Sequence, residues 1–327
     1  AELMASEYSL RAIQTSLIAE VVSTYYQLLD YHQRLEVSRR TLDSRNESLD
    51  IIEKRFAHGI IPEIDVNQAQ IQKETASAAI PSYERLISKT ENTISILLGK
   101  FPEEIKKGIG LESQTLPPEI PTGLPSSLLE RRPDIVKAEY SVQAQNAQIG
   151  IAQALRLPAI SLTGFAGRAS DELSSLSSDG TAWSIAGEIV GPIFNFNQDK
   201  MRVVVEKERT KQAVLGDEIT VLYAGREVED ALIEIQTYKE QISALGRKYK
   251  AAKNANRLSK MRYDKGFTSF LEVLDTEREL FEVGLEHSEV RQQYQNSYVA
   301  LYKALGGGWL SRGEMEAFQK ASENTGK

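Results

Sequence analysis

Arg262-Tyr263-Asp264-Lys265-Gly266-Phe267-Thr268-Ser269 repeats, 207 positions further on, the pattern of Arg55-Phe56-Ala57-His58-Gly59-Ile60-Ile61-Pro62. In both copies an arginine and an aromatic residue precede a glycine by four and three positions. Glycine at such a place predicts a left-handed residue closing a helix, and a fresh helix start follows each copy within a few residues. Pro62 suits the first helical position of one. In the other, Ser269-x-x-Glu272 has the form of a capping box, whose hydroxyl and carboxylate satisfy amides at the helix start.

The same offset, without gaps, relates Glu20-Val21 to Glu227-Val228, Arg40 to Arg247, Val66 to Val273 and Leu98-Gly99 to Leu305-Gly306. Between the turns the apolar spacing is that of a coiled helix. Ile235, Tyr238, Ile242, Leu245, Tyr249 and Ala252 step by three and four residues, as do Leu28, Tyr31, Leu35, Ser38, Leu42 and Arg45, continued by Leu49, Ile52 and Phe56. The polar members Ser38 and Arg45 suit an assembly wider than two strands, with a seam only partly dry. A helix from Asn197 to Lys265 has 69 residues and would extend roughly 100 Å. Return helices are expected to run to about Leu98 and Leu305, with Tyr294, Tyr298, Leu301 and Leu305 keeping heptad-like spacing. Two long antiparallel hairpins follow, and a repeat of this kind argues for one elongated architecture.

Composition is consistent with that reading. Of ten prolines, Pro117, Pro118, Pro121 and Pro125 cluster, leaving long stretches open to helix. No window carries eighteen uninterrupted apolar residues and 26% of residues are charged, which excludes a spanning helix. A membrane barrel is not excluded, because its strands are short and alternate. With no cysteine there is no disulfide or thiolate chemistry. A net charge of −7 argues against a general nucleic-acid binder. No enzyme constellation is present: Ser126-Ser127 lacks a nucleophile elbow, and no glycine loop for phosphate is found. His32, His58 and His287 are scattered, and turn chemistry accounts for Glu63 and Asp65 near His58 better than metal ligation does. Neither cofactor nor metal is expected.

One region breaks the helical pattern. After a helix from Asp134 to about Leu155, strand-like runs cover Leu157 to Ala166 and Trp183 to Phe194, separated by a polar loop from Ala169 to Gly180. Alternating strands of this length have the form of an outer-membrane barrel hairpin or of an ordinary hairpin on a soluble domain.

The run Leu124-Pro125-Ser126-Ser127-Leu128-Leu129-Glu130-Arg131-Arg132-Pro133-Asp134-Ile135, followed by Ala138-Glu139, Ile149-Gly150 and Arg156-Leu157-Pro158, resembles the signature of the outer-membrane factors of tripartite efflux systems, the TolC family in its OprM/NodT branch. The two turns, Trp183-Ser184, Gly191-Pro192-Ile193-Phe194 and Ala304-Leu305-Gly306-Gly307-Gly308-Trp309 agree with it, so the resemblance covers nearly the whole chain. It implies a mainly α fold in which long coiled-coil hairpins form an α-barrel, plus a β-hairpin contributing to a twelve-stranded membrane β-barrel, assembled as a homotrimer. The expected division is a first helical hairpin over 1–100, a Pro-rich equatorial linker over 101–132, a helix over 133–156, the β-hairpin over 157–196, the second helical hairpin over 197–306 and a tail over 307–327. The family has a second strand hairpin and an acylated N-terminal cysteine that are absent here. Three copies of this chain would supply six strands, fewer than the eight of the smallest usual barrel. The chain is therefore expected to be an N-terminally incomplete piece of a longer protein.

The resemblance also implies function: a multidrug-type exit duct of the outer membrane, passively conducting substrates handed over by an inner-membrane transporter and a periplasmic adaptor, or membrane fusion protein. It places Asp275 and Glu272 on constricting acidic positions and Asp65 on a linking position. Arg262, Tyr263, Arg55 and Phe56 become candidates for bracing the gate, and Gly59, Ile60, Gly266, Phe267 and Thr268 for docking the adaptor. Blander roles stay open beside these: a cap for Glu272, a surface pair with Arg278 for Asp275, simple packing for the aromatic residues, and mere turns for the tips. Family members commonly carry polar latch residues where Ile64 and Thr268 stand. The second hairpin has Glu272 and Asp275 where the first has Asp65 and Gln68, which points to the second as the moving one. The alternative function is a soluble coiled-coil scaffold without channel activity. The two part at the β-hairpin, whose apolar face would meet lipid in a duct and be buried on the protein's own helices in a scaffold.

Overall fold

The computed structural model describes residues 1–114, 131–168, 180–193 and 195–307. The proline cluster, the start of the Leu124 signature run, most of the loop between the strands, Phe194, Gly308 and Trp309 lie outside the described residues. The elements in order are α1 (Glu2–Ala57), α2 (Glu63–Leu97), a short 3-10 turn (Leu111–Ser113), α3 (Pro133–Ala154), β1 (Ala159–Arg168), β2 (Thr181–Val190), α4 (Gln198–Asp264) and α5 (Phe270–Ala304). Shifted by 207, the ends Ala57, Glu63 and Leu97 of the first hairpin become Asp264, Phe270 and Ala304, the corresponding ends of the second. The repeat seen in sequence is thus a repeat of helix boundaries.

The cause lies in the caps. Gly59 and Gly266 have φ of 70° and 74°, and the amides of Gly59 and Ile60 bond back to Phe56 and Arg55 at 2.8 and 3.0 Å. The amides of Gly266 and Phe267 bond to Tyr263 and Arg262 at 3.0 and 2.9 Å. This paired pattern is the Schellman closure, in which a left-handed residue lets two carbonyls that the helix leaves orphaned find donors. Two helix starts differ from expectation. Pro62 is the residue before α2 rather than its first. Ser269 precedes α5 but makes no side-chain cap bond, so the capping box does not form: the carboxylate of Glu272 is taken instead by Thr268 and Arg262. Pro81 lies inside α2, where its ring nitrogen has no proton for the carbonyl of Ser77.

The chain divides into two compact units, Leu10–Arg132 with Tyr223–Lys327 and Ala1–Ser9 with Pro133–Leu222. In the first, the predicted seam is the core. Leu28, Leu35, Leu49 and Ile52 of α1 are buried, as are Leu245 and Ala252 of α4. Leu49 and Ile52 pack with Ala69, Phe270, Val273 and Leu274, and Leu245 and Ala252 with Val283 and Val290. Fully burying such a side chain contributes about 1.5–3 kcal/mol. Phe56, expected to continue the seam, is 42% exposed, because the helix unwinds into its cap one residue later.

Ser38 and Arg45 are both buried. Ser38 returns its hydroxyl to the carbonyl of Arg34 at 2.8 Å. Arg45 donates to the carbonyl of Gln72 and lies 5.1 Å from the ring centre of Phe281. Glu277 of α5 lies nearby, 6% exposed, accepting from Lys260 at 2.7 Å and Ser48 at 3.3 Å. Arg45 and Glu277 both line a cavity of about 220 Å³. Burial pushes the Arg45 guanidinium below its ordinary pKa while the charge of Glu277 pulls it back up, so each charge stabilises the other where water is scarce.

In the other unit β1 and β2 form an antiparallel pair from Ala159↔Val190 to Arg168↔Thr181. The strands begin and end a few residues from the positions expected, since Pro158 lacks an amide proton for the ladder and Gly191 packs against its ring.

Candidate functional site

The tips of the two helical hairpins gather most of the candidate residues. Arginine occupies the third position from each helix end, so its carbonyl is held by the cap and its side chain leaves the helix sideways. Arg55 reaches across to α4, placing Nη2 3.2 Å from Asp264 Oδ1 and its guanidinium carbon 4.6 Å from the centre of the Tyr263 ring. Tyr263 in turn lies 5.3 Å, centre to centre, from Phe270, which is buried with Leu49, Ile52 and Val273. A single cation and a ring therefore tie the end of α1 to the end of α4. Arg262, by contrast, turns to its own hairpin, with Nη1 3.4 Å from Glu272 Oε1. Phe56 makes no part of this core.

The acidic candidates are arranged unequally. Glu272 is held by Arg262 and by the hydroxyl of Thr268. Asp275 sits one turn further along α5, about half exposed, with Oδ1 3.0 Å from Arg278 Nη2. Such an exposed pair contributes only about 0.3–0.5 kcal/mol, so it does not commit Asp275 to a structural role. Asp65 is half-buried in the first turn of α2, where its amide bonds to the carbonyl of Pro62 at 3.1 Å. His58 approaches the carbonyl of Lys54 at 2.7 Å.

At the turns, Ile60 and Phe267 are 70% and 72% exposed and Ile64 is exposed beside them. A Cβ built on Gly59 or Gly266 would meet nothing within 4 Å. Small glycines flanked by bare apolar side chains form a surface suited to another apolar surface.

Sequence reading missed two features. Glu277 falls in the apolar register of Phe270, Val273 and Phe281, so a polar residue in that seam was the available signal. Arg132 is buried and donates to the carbonyl of Ala304 at 2.9 Å while pairing with Glu227 Oε2 at 2.8 Å. It closes the C-terminal end of α5 from a residue 172 positions away, for which no local signal exists.

Two helical hairpins whose return helices α2 and α5 have 35 residues each, tied at their tips by Arg55, and an antiparallel strand pair with one apolar face make up the described architecture. The model of the outer membrane efflux protein family matches residues 1–100 and 124–307, and the chain belongs to that family. It is similar to the solvent efflux pump outer membrane protein SrpC of Pseudomonas putida, 38% identical over 94% of this chain and 65% of the relative. The outer membrane protein OprJ of Pseudomonas aeruginosa is 35% identical over 94% of this chain and 65% of its own length. Among solved structures, the outer-membrane channel OprN superposes with a TM-score of 0.84 at 31% identity, covering 94% of this chain and 69% of that one. The chain thus spans about 65% of the length of these curated relatives.

Proposed function

We propose that this chain forms the exit duct of a tripartite efflux pump, passively conducting cargo from an inner-membrane transporter and its periplasmic adaptor across the periplasm and outer membrane. The observation that carries this reading is the strand pair. Ile160 and Leu162 are 80% and 79% exposed, and Trp183, Ile185 and Ile189 on the same face are exposed as well. A scaffold would bury that face; a barrel wall offers it to lipid. Each strand also has one edge unpaired among the described residues, and an isolated two-stranded hairpin is marginal in water, so further strands are needed to close the ladder.

The assembly is a homotrimer embedded in outer-membrane lipid through its strands. A groove of about 530 Å³ lined by Ile18, Val22, Tyr26, Val299 and Tyr302 gives a neighbouring copy an apolar seat. Asp275, with Glu272 and Asp65, forms the acidic constriction, since carboxylates repeated around an axis repel on closing and favour cations. Arg55 and Tyr263 brace it between hairpins, Arg262 within the second; Phe56, at the surface, takes no part in that brace. Gly59, Ile60, Gly266, Phe267 and Thr268 are the adaptor surface. Catalysis, cofactor and metal have no place in this scheme, because the partner supplies the energy.

The docking assignment has a direct test. Phe267→Glu places a charge on a well-solvated side chain, so the fold is expected to change by less than about 0.5 kcal/mol. Gly266→Trp adds bulk at a left-handed position, at about 1–2 kcal/mol. In the full-length protein both are expected to reduce adaptor cross-linking about tenfold or more and to restore drug susceptibility. Unchanged cross-linking in both would remove the tips as the docking surface.

A further inference from the structure

Residues directly opposite one another in an antiparallel pair share a face, and parity alternates along each strand. Ile160↔Ile189, Gly164↔Ile185 and Ala166↔Trp183 therefore lie on one face, together with Leu162, while Ser161↔Glu188, Thr163↔Ala186 and Phe165↔Ser184 lie on the other. The first face is apolar and aromatic. The second is built mostly from small side chains, with three larger ones, Phe165, Glu188 and, opposite Ala159 at the strand end, Val190. Phe165 is exposed, and its ring leans along the strand over Gly167, where a Cβ would lie 3.1 Å from its Cζ. Glu188 faces only the short Ser161, is exposed, and is the one acid in either strand. Arg168, the one base, has the parity of the apolar face and stands at the end of β1 away from the helices.

We propose that Glu188 projects into the water-filled lumen of the barrel and sets its charge preference, three symmetry-related carboxylates forming a ring near the helix-side end of the strands. This rests on the exit-duct reading and adds a residue to it. Parity leaves little freedom, because a register slip of one residue would move Glu188 into lipid and Ile185 and Ile189 into water. The ring stands two residues in from Val190, about 7 Å along a strand. There it meets permeating ions before they pass the rest of the barrel, and a carboxylate in a confined lumen raises the local cation concentration.

These 327 residues contain no cysteine, so in the full-length protein single thiols are introduced here after any cysteine elsewhere is replaced by serine, with that parent protein as the background control. Glu188→Cys in proteoliposomes is expected to react with a water-soluble methanethiosulfonate, and Ile189→Cys only with a lipid-soluble maleimide. In planar bilayers under a KCl gradient, Glu188→Gln is expected to lower the potassium-to-chloride permeability ratio about twofold, and Glu188→Lys to lower it further. The inference is overturned if the thiol of the Glu188→Cys variant reacts only from the lipid phase, whether or not the protein conducts. It is also overturned if the protein conducts and neither Gln nor Lys moves the ratio. A silent bilayer, with the thiol of Glu188→Cys reactive from water, would instead count against the exit-duct reading while leaving the orientation of Glu188 supported.

Discussion

Arg55→Ala is expected to raise the open probability of the full-length channel by about two to three orders of magnitude. The arginine makes two contacts from α1 to α4. Its ion pair with Asp264 involves a well-exposed carboxylate and contributes about 0.5 kcal/mol. Its stacking on Tyr263, partly shielded by the hairpin core, contributes about 1 kcal/mol. Either term alone would be minor. In the proposed trimer the brace would occur three times, so a concerted opening that breaks all three would lose about 4 kcal/mol of closed-state stabilisation, roughly a thousandfold in the equilibrium. Single-channel recording measures this directly. Arg55→Lys, which keeps the charge but loses the planar stack, is expected to fall between the two. An open probability unchanged in Arg55→Ala would remove the brace from the gating scheme.

Glu277→Ala is expected to destabilise the helical hairpins by about 3 kcal/mol, lowering the urea midpoint of the helical circular-dichroism signal. Lys260 can turn to water when its partner is gone. Arg45, 2% exposed, cannot, and it would be left as a buried cation with no opposing charge. The double variant Arg45→Met, Glu277→Leu is expected to recover most of the loss, because an apolar pair of similar volume avoids desolvation on both sides. If the double variant is as unstable as the single one, the two charges are not coupled.

The parts of the fold that were legible were those dictated locally. A glycine at φ near 70° after a heptad helix has few alternatives, so Gly59 and Gly266 announced both hairpins and the repeat gave their lengths. Alternation announced the strands, though not their ends, which depend on where Pro158 interrupts the ladder. What failed was competition among polar groups. Ser269 and Glu272 have the spacing of a capping box, yet Glu272 has two other suitors in Thr268 and Arg262, and the backbone pattern alone could not rank them. Arg45 stood out as a charge in an apolar seam; its counterpart Glu277 lies 232 residues away, on a helix brought alongside only by the tertiary fold. Arg132 capping Ala304 is of the same kind. The candidate site was legible as a place, the paired tips, while the brace by Arg55 emerged from geometry.

Planar-bilayer recording of the full-length protein beside its Asp275→Ala variant decides whether the proposed duct conducts and whether acids on α5 close it. Small, discrete, cation-preferring steps are expected for the unmodified protein, and larger steps with weaker cation preference for the variant. Silence from both would contradict the duct, and identical conductance and selectivity in both would contradict the gate.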